Sequence, residues 1–167
     1  MKLSYLAAVP VVFVAVAALS PSAGAERKLD ALGFFEGKTE SVATIKLVMK
    51  KPYKSRSIGL GEIKSDGSLH LVQRVEEAGK PPHDRRWHIR EVGPGRFSGT
   101  MSEAKGPVTI DEVDGKYRFR FKMKGNVSVE QWLIPQPGGR SAISKVTIRK
   151  MGITVGQSDG MVKRLDH

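Results

Sequence analysis

Cysteine is absent from all 167 residues. Its absence excludes disulfides, thiol catalysis and thiolate metal sites, and leaves stability to packing. Lipoprotein processing, which attaches lipid to a cysteine, is excluded with them. Acidic residues are scarce beside basic ones, 17 Asp and Glu against 28 Lys and Arg, and only Lys2 of those cations lies in the first 25 residues. The remaining domain is therefore strongly basic. Such a domain is drawn to lipid headgroups, lipopolysaccharide, other polyanions and anionic small molecules. A solvated surface kept soluble by its charge is the plainer account of the same excess.

Catalytic and metal signatures are also missing. The four histidines, His70, His83, His88 and His167, fall on separate segments with no His-x-x-x-His or Glu-x-x-His spacing, whereas a hydrolytic metal site needs three convergent ligands. Gly-x-Ser-x-Gly is absent, since residues 96–99 lack its first glycine. His83 and Asp84 would set an imidazole beside a carboxylate but have no evident nucleophile. Glu103, Asp111, Glu112 and Glu130 could converge, yet spacing alone nominates no pair. An enzyme acting through a rim carboxylate or His83 is thus unsupported, and the residues call for no metal and no cofactor.

The N-terminus reads as a targeting segment. Lys2 precedes an apolar run over residues 6–19 broken only by Pro10, and Ala23-Gly24-Ala25 supplies a small-x-small site. This predicts export to the periplasm or beyond, with cleavage after Ala25. The run is short for a bilayer-spanning helix, which needs roughly 20 apolar residues. Residues 26–167 are the size of one domain with one core, with no linker, repeat or low-complexity tract and no transmembrane span.

Residues 116–124 organise that domain. Tyr117, Phe119, Phe121 and Met123 occupy one parity, and Lys116, Arg118, Arg120, Lys122 and Lys124 the other. A β-strand sends successive side chains to opposite faces, so this is a strand with one apolar and one cationic face. A helix would scatter the apolar groups around its cylinder. One wet face means an antiparallel sheet or barrel.

The same alternation recurs along the chain. Residues 28–35 have helical spacing and predict one or two turns packed on a sheet edge or barrel mouth. Residues 40–50 alternate through Ala43, Ile45, Leu47 and Met49. Residues 55–64 shift parity between Leu60 and Ile63, which predicts a bulge at Gly61. After the Ser65-Asp66-Gly67 turn, Leu69, Leu71 and Val75 oppose His70, Arg74 and Glu76. Residues 77–84 read as the longest loop. Trp87 and Ile89 then oppose Arg86, His88 and Arg90, and Phe97, Gly99 and Met101 mark a further strand in which Gly99 permits close approach. Val108–Val113, residues 127–134 and Ser141–Lys150 follow, and Ile153–Leu165 supplies one or two more. The sum is an all-β antiparallel up-and-down barrel of about 8–10 strands with a short N-terminal helix, a β-sandwich being the alternative.

Several segments resemble a family of exported bacterial proteins known as domain of unknown function 3833. Phe34-Phe35-Glu36-Gly37 resembles its opening Phe-Phe-x-Gly. Residues 84–89, Asp-Arg-Arg-Trp-His-Ile, resemble its Arg-x-Trp-x-Ile strand after an acidic turn, and residues 96–100 its aromatic-x-Gly step. Residues 117–123, Trp132 and residues 150–156 are similar to its closing strands. The likeness runs from Phe34 to Leu165. It implies a lipocalin-like, calycin-type barrel and assigns no activity. The chain departs from the family in lacking the lipoprotein cysteine that members often carry. Gln73, Arg74 and Val75 also stand where members have acidic and aromatic residues.

A barrel of about eight strands is either packed inside or holds one small ligand. Burying the cations of residues 116–124 would leave unpaired charges in a low dielectric, so the aromatic face is expected inside and the cations outside. Trp87, Phe97, Met101, Tyr117, Phe119 and Phe121 are then the candidate wall of an apolar ligand cavity, and Arg118, Arg120, Lys122 and Lys124 a basic surface stripe suited to anionic envelope surfaces. Plain core packing would explain the same aromatics. Trp87 shares its parity with Ile89 and is expected inside. Trp132 has both Glu130 and Ile134 on its parity, so its direction stays open. Single-strand nucleic-acid binders expose aromatics beside their cations on one face. Here the two lie on opposite faces, which argues against a nucleic-acid partner. The reading reached is a carrier of a small apolar or amphipathic ligand. The alternative is a ligand-free envelope structural or interaction protein with a packed interior.

Overall fold

The computed structural model describes residues 30–165. The targeting segment and the cleavage point after Ala25 lie outside them, as do Lys28 and Leu29 of the expected N-terminal helix. Ten strands alternate in direction: β1 (Gly37–Leu47), β2 (Tyr53–Ile63), β3 (Leu69–Glu77), β4 (His83–Gly93), β5 (Arg96–Met101), β6 (Val108–Val113), β7 (Lys116–Met123), β8 (Val127–Pro135), β9 (Ser141–Lys150) and β10 (Ile153–Leu165). Each pairs antiparallel with its sequence neighbours, and β1 pairs with β10 to close an up-and-down barrel. Closure removes the free edges that an open meander would expose, which excludes the sandwich. Among the described residues no helix is long and apolar enough to cross a membrane.

One end of the barrel is sealed. A single 3-10 turn, Gly33–Phe35, crosses it and buries Ala31, Leu32, Phe34 and Phe35 against the core. Asp30 Oδ1 caps the turn by accepting from the Leu32 and Gly33 amides at 3.0 and 2.6 Å. From the far side, Arg164 Nη1 donates to the Gly33 carbonyl at 2.9 Å. Each large side chain buried here contributes about 1.5–3 kcal/mol. Phe97, Val108, Ile110, Tyr117, Leu133 and Val162 belong to the same buried core. Tyr117 has its pKa pushed up to about 12, by burial first and then by the negative charges of Glu112 and Asp30.

The floor explains an error in the parity argument. Gly61 is not a bulge: β2 keeps an unbroken register with β1 and with β3. Gly59 and Gly61 face inward while Leu60 points out, 64% exposed. The glycine is needed because the 3-10 turn lies on it. A Cβ at Gly61 would fall 1.9 Å from the Phe35 carbonyl oxygen. The expected close approach at Gly99 is present, with His88 O 1.8 Å from where its Cβ would be.

Other boundaries move modestly. β1 ends at Leu47, so Met49 lies in the following loop rather than on the inner face. The expected 77–84 loop shrinks to residues 78–82, because Val75 pairs with His83 and Arg74 with Asp84. Ile153–Leu165 is one strand, kinked by a register shift between Thr154 and Gly156.

Candidate functional site

Opposite the floor the barrel is open, and a cavity of about 510 Å³ runs down from that mouth. It exists because the inward positions are unequal around the wall. On β3, β4 and β7 they are large: Leu69, Leu71, Val75, Trp87, Phe119 and Phe121. On β1, β2, β9 and β10 the middle positions are small, Ser41, Ala43, Ser55, Ser57, Ser144 and Ser158, with larger side chains such as Ile45, Leu47 and Ile148 only toward the mouth and Val162 toward the floor. A closed ring of ten strands cannot collapse onto short side chains, so space remains between an aromatic wall and a hydroxyl-bearing one. Two edge-on ring contacts stiffen the aromatic wall, Trp87–Phe121 at 5.9 Å and Trp87–Phe119 at 6.5 Å between centroids.

Two polar fixtures sit within this mostly apolar lining. The Trp87 indole donates to Gln73 Oε1 at 2.7 Å, and Gln131 Nε2 donates to Ser144 Oγ at 3.0 Å. Each glutamine keeps its other amide atom without a protein partner among the described residues. A few fixed polar groups on an apolar wall are what orient a small ligand.

At the mouth Glu103 gathers an arginine and a histidine. Arg85 Nη2 and Nε approach Glu103 Oε2 at 2.8 and 3.2 Å, and His83 Nε2 lies 2.8 Å from Oε1. The His83 contact is close but poorly directed, since Oε1 accepts no well-aligned hydrogen bond. Partial burial pushes the Glu103 pKa upward. Arg85, with help from His83, outweighs that and holds it below the ordinary carboxylate value. Beside them Lys80 pairs with Glu77 and lies over the Tyr53 ring, 5.3 Å from its centroid.

The residues singled out in sequence separate into groups. Trp87, Met101, Phe119 and Phe121 line the cavity. Phe97 and Tyr117 also point inward, but they sit in the buried core and not on the cavity lining. Arg118, Arg120 and Lys122 lie on the outer face, and Lys124 in the β7–β8 turn. Asp111 partly neutralises the stripe, 2.7 Å from Arg120 and 3.8 Å from Arg118. Trp132 points outward and carries the Arg118 guanidinium 5.6 Å from its ring centroid.

The acids do not converge. Glu103 is at the mouth, Asp111 on the outer face with its two arginines, and Glu112 near the floor beside Tyr117. Asp84 pairs with Arg74 on the exterior rather than with His83. The fold does join two histidines from separate segments: His70 and His88 face each other across β3 and β4, ring centroids 4.2 Å apart on the outer surface. Among the described residues no three His, Asp or Glu side chains cluster as a metal site would require.

Sequence reasoning missed the hydroxyl wall and the Glu103–Arg85–His83 group. The wall did leave a signal, because Ser41, Ser55 and Ser57 hold inward positions where a packed barrel would place Leu or Val. The mouth group left none, since Arg85 and Glu103 are 18 residues apart.

No family model and no curated protein matches the sequence. Among solved structures the chain is similar to an S-type phycobiliprotein lyase, CPES, from Guillardia theta. The TM-score is 0.65 at 8% identity, over 81% of this chain and 91% of that one. It is also similar to a redesigned β-barrel, mFAP0, bound to DFHBI, with a TM-score of 0.45 at 11% identity over 78% and 99% of the two chains. At 8% identity the likeness to the lyase is one of fold alone.

Proposed function

We propose that this protein is an exported carrier that holds one small apolar or amphipathic molecule inside its barrel. The observation that carries the reading is the cavity of about 510 Å³. That size falls within the range of about 300–1,000 Å³ common for small-molecule sites. Trp87, Phe119, Phe121 and Met101 are its apolar contact surface. Gln73 and Gln131 orient a polar group at mid-depth, and the Glu103–Arg85–His83 group borders the mouth. Phe97 and Tyr117 pack in the buried core beneath that surface. Membership of the exported family that the motifs resemble, with a periplasmic or secreted location, accords with this role.

Native mass spectrometry of the protein from its own cells, followed by solvent extraction, tests the proposal. A stoichiometric adduct that Phe119→Ala abolishes in a folded barrel is expected. The apo protein should also take up the uncharged probe N-phenyl-1-naphthylamine one to one. An apo mass together with no probe uptake would overturn the reading in favour of a ligand-free structural protein.

A further inference from the structure

The two ends of the barrel differ in charge as well as in closure. Connections at the mouth carry Lys50, Lys51, Lys80, Lys105 and Lys124 against one acid, Glu103, which Arg85 already holds. Segments at the floor carry Lys64 and Arg140 against Asp30, Glu36, Asp66 and Asp114. The net positive charge of the loops is thus concentrated where the cavity opens. Lys80 is paired with Glu77, whereas among the described residues Lys50, Lys51, Lys105 and Lys124 have no carboxylate partner.

The extreme cases of apolar exposure stand at the same place, although Leu60 and Val92 are also exposed on the outer wall. Met49, Met151 and Ile153 are the three most exposed large apolar side chains among the described residues, at 100%, 78% and 71%, and Val48 stands beside them. They occupy the β1–β2 loop and the β9–β10 turn, which the structure ties together. Val48 N donates to Val155 O at 2.9 Å, and Met151 N donates to Asn126 O at 3.2 Å, joining the turn that carries Lys124.

The backbone supplies an independent mark. Four described non-glycine residues have positive φ: Asp114, Asn126, Met49 at 61° and Met151 at 50°. Asp and Asn tolerate this region because their short polar side chains bond locally. Methionine gains nothing there, so both tips combine strained backbone with an apolar side chain held in water. Strain of this kind persists only where the surrounding structure over-determines it, and it clusters at functional sites.

We infer that the mouth of the barrel docks on an anionic lipid bilayer, with Met49, Met151, Ile153 and Val48 inserted at the headgroup–acyl boundary and the surrounding lysines on lipid phosphates. An apolar tip ringed by lysine is the combination that adds burial to headgroup attraction. The cavity opens through the docked face, so a ligand moves between membrane and barrel without crossing bulk water. This last clause rests on the carrier reading, while the docking does not.

Vesicle flotation tests the inference, with phosphatidylcholine vesicles compared against vesicles that also contain phosphatidylglycerol. The wild-type protein should float with the anionic vesicles and lose binding as salt rises. The double variant Met49→Asn, Met151→Asn suits the positive φ, so it folds at least as well. It should partition more weakly by about tenfold or more, since each methionine loses several buried carbons. Replacing Lys64 and Arg140 at the floor should change nothing. Unchanged flotation of the double variant, or equal flotation with neutral vesicles, would overturn the inference. So would binding to polyglutamate without binding to vesicles, which would assign the mouth to an acidic protein. Ser57→Leu, which obstructs the cavity, should still float, so a failure of the carrier reading and a failure of docking are separately visible.

Discussion

Ser57→Leu puts the empty interior to a test of sign. Ser57 faces the cavity from β2, between Ser41 on β1 and Val75 on β3. Leucine there adds three carbons and removes one hydroxyl. If the carbons enter open space against Val75 and the aromatic wall, burial contributes about 0.8 kcal/mol for each. Ordering the leucine side chain costs about 0.5–1 kcal/mol in return. The net is a stabilisation of about 1–2 kcal/mol, read as a higher urea midpoint at an unchanged slope. A barrel already packed to native density would instead pay about 1–3 kcal/mol for overpacking. The two accounts therefore differ in direction and not merely in size. The same variant should take up less N-phenyl-1-naphthylamine than the wild type. A urea midpoint that falls by the overpacking amount would refute the cavity on which the functional reading stands.

Three further outcomes follow from the floor and the mouth. Gly61→Ala places a methyl group on the Phe35 carbonyl, which is backbone and cannot swing aside. It should destabilise by about 1–3 kcal/mol, and an unchanged urea midpoint would show that the 3-10 turn is not seated on β2. Tyr117, with its folded pKa near 12 against 10 when free, should remain un-ionised past pH 10 by its absorbance near the phenolate band. Its contribution to stability is complete below pH 10 and lost as pH rises toward 12, because the unfolded chain releases the proton first; ionisation of Tyr117 in the native protein at pH 10 would contradict this burial. Glu103 has the opposite sign. Its depressed pKa contributes stability above its ordinary value of 4.5, lost as pH falls below that. Glu103→Gln should flatten that acid limb of the urea midpoint, and an acid limb identical to wild type would mean that Arg85 and His83 do not hold the carboxylate in solution.

The barrel was legible in sequence because its information is local. Residues 116–124 state their two faces by parity alone, and β7 has the orientation that the cost of burying cations demands. The Asp-Gly and Gly-Asn turns mark three of the nine connections between strands. Where parity failed, a distant contact was responsible. Gly61 breaks the apolar pattern because the floor turn, some 26 residues earlier in sequence, lies on it. The site was less legible for the same reason. Trp87 and Phe119 could be assigned inward by parity, but whether the interior is filled depends on what ten strands present together. The serines that keep it open are unremarkable one at a time. The Glu103 group and the His70–His88 pair are products of register, which no single strand encodes.

The seam between β1 and β10 sets Lys38 opposite Leu165, so the described chain both starts and finishes beside the floor. All five connections around the mouth are therefore hairpin tips, each anchored on both sides by its own pair of strands. The ring is closed by β1 on β10, and the first tip adds one bond to that seam, from Val48 to Val155. Backbone bonds tie neighbouring tips together, Met151 to Asn126 and Lys105 to Lys122, so the rim holds its outline while the side chains it displays can change. Substituting side chains at the rim would therefore change what the mouth meets, as a tool holder accepts a different bit, and leave the ten-strand ring as it is.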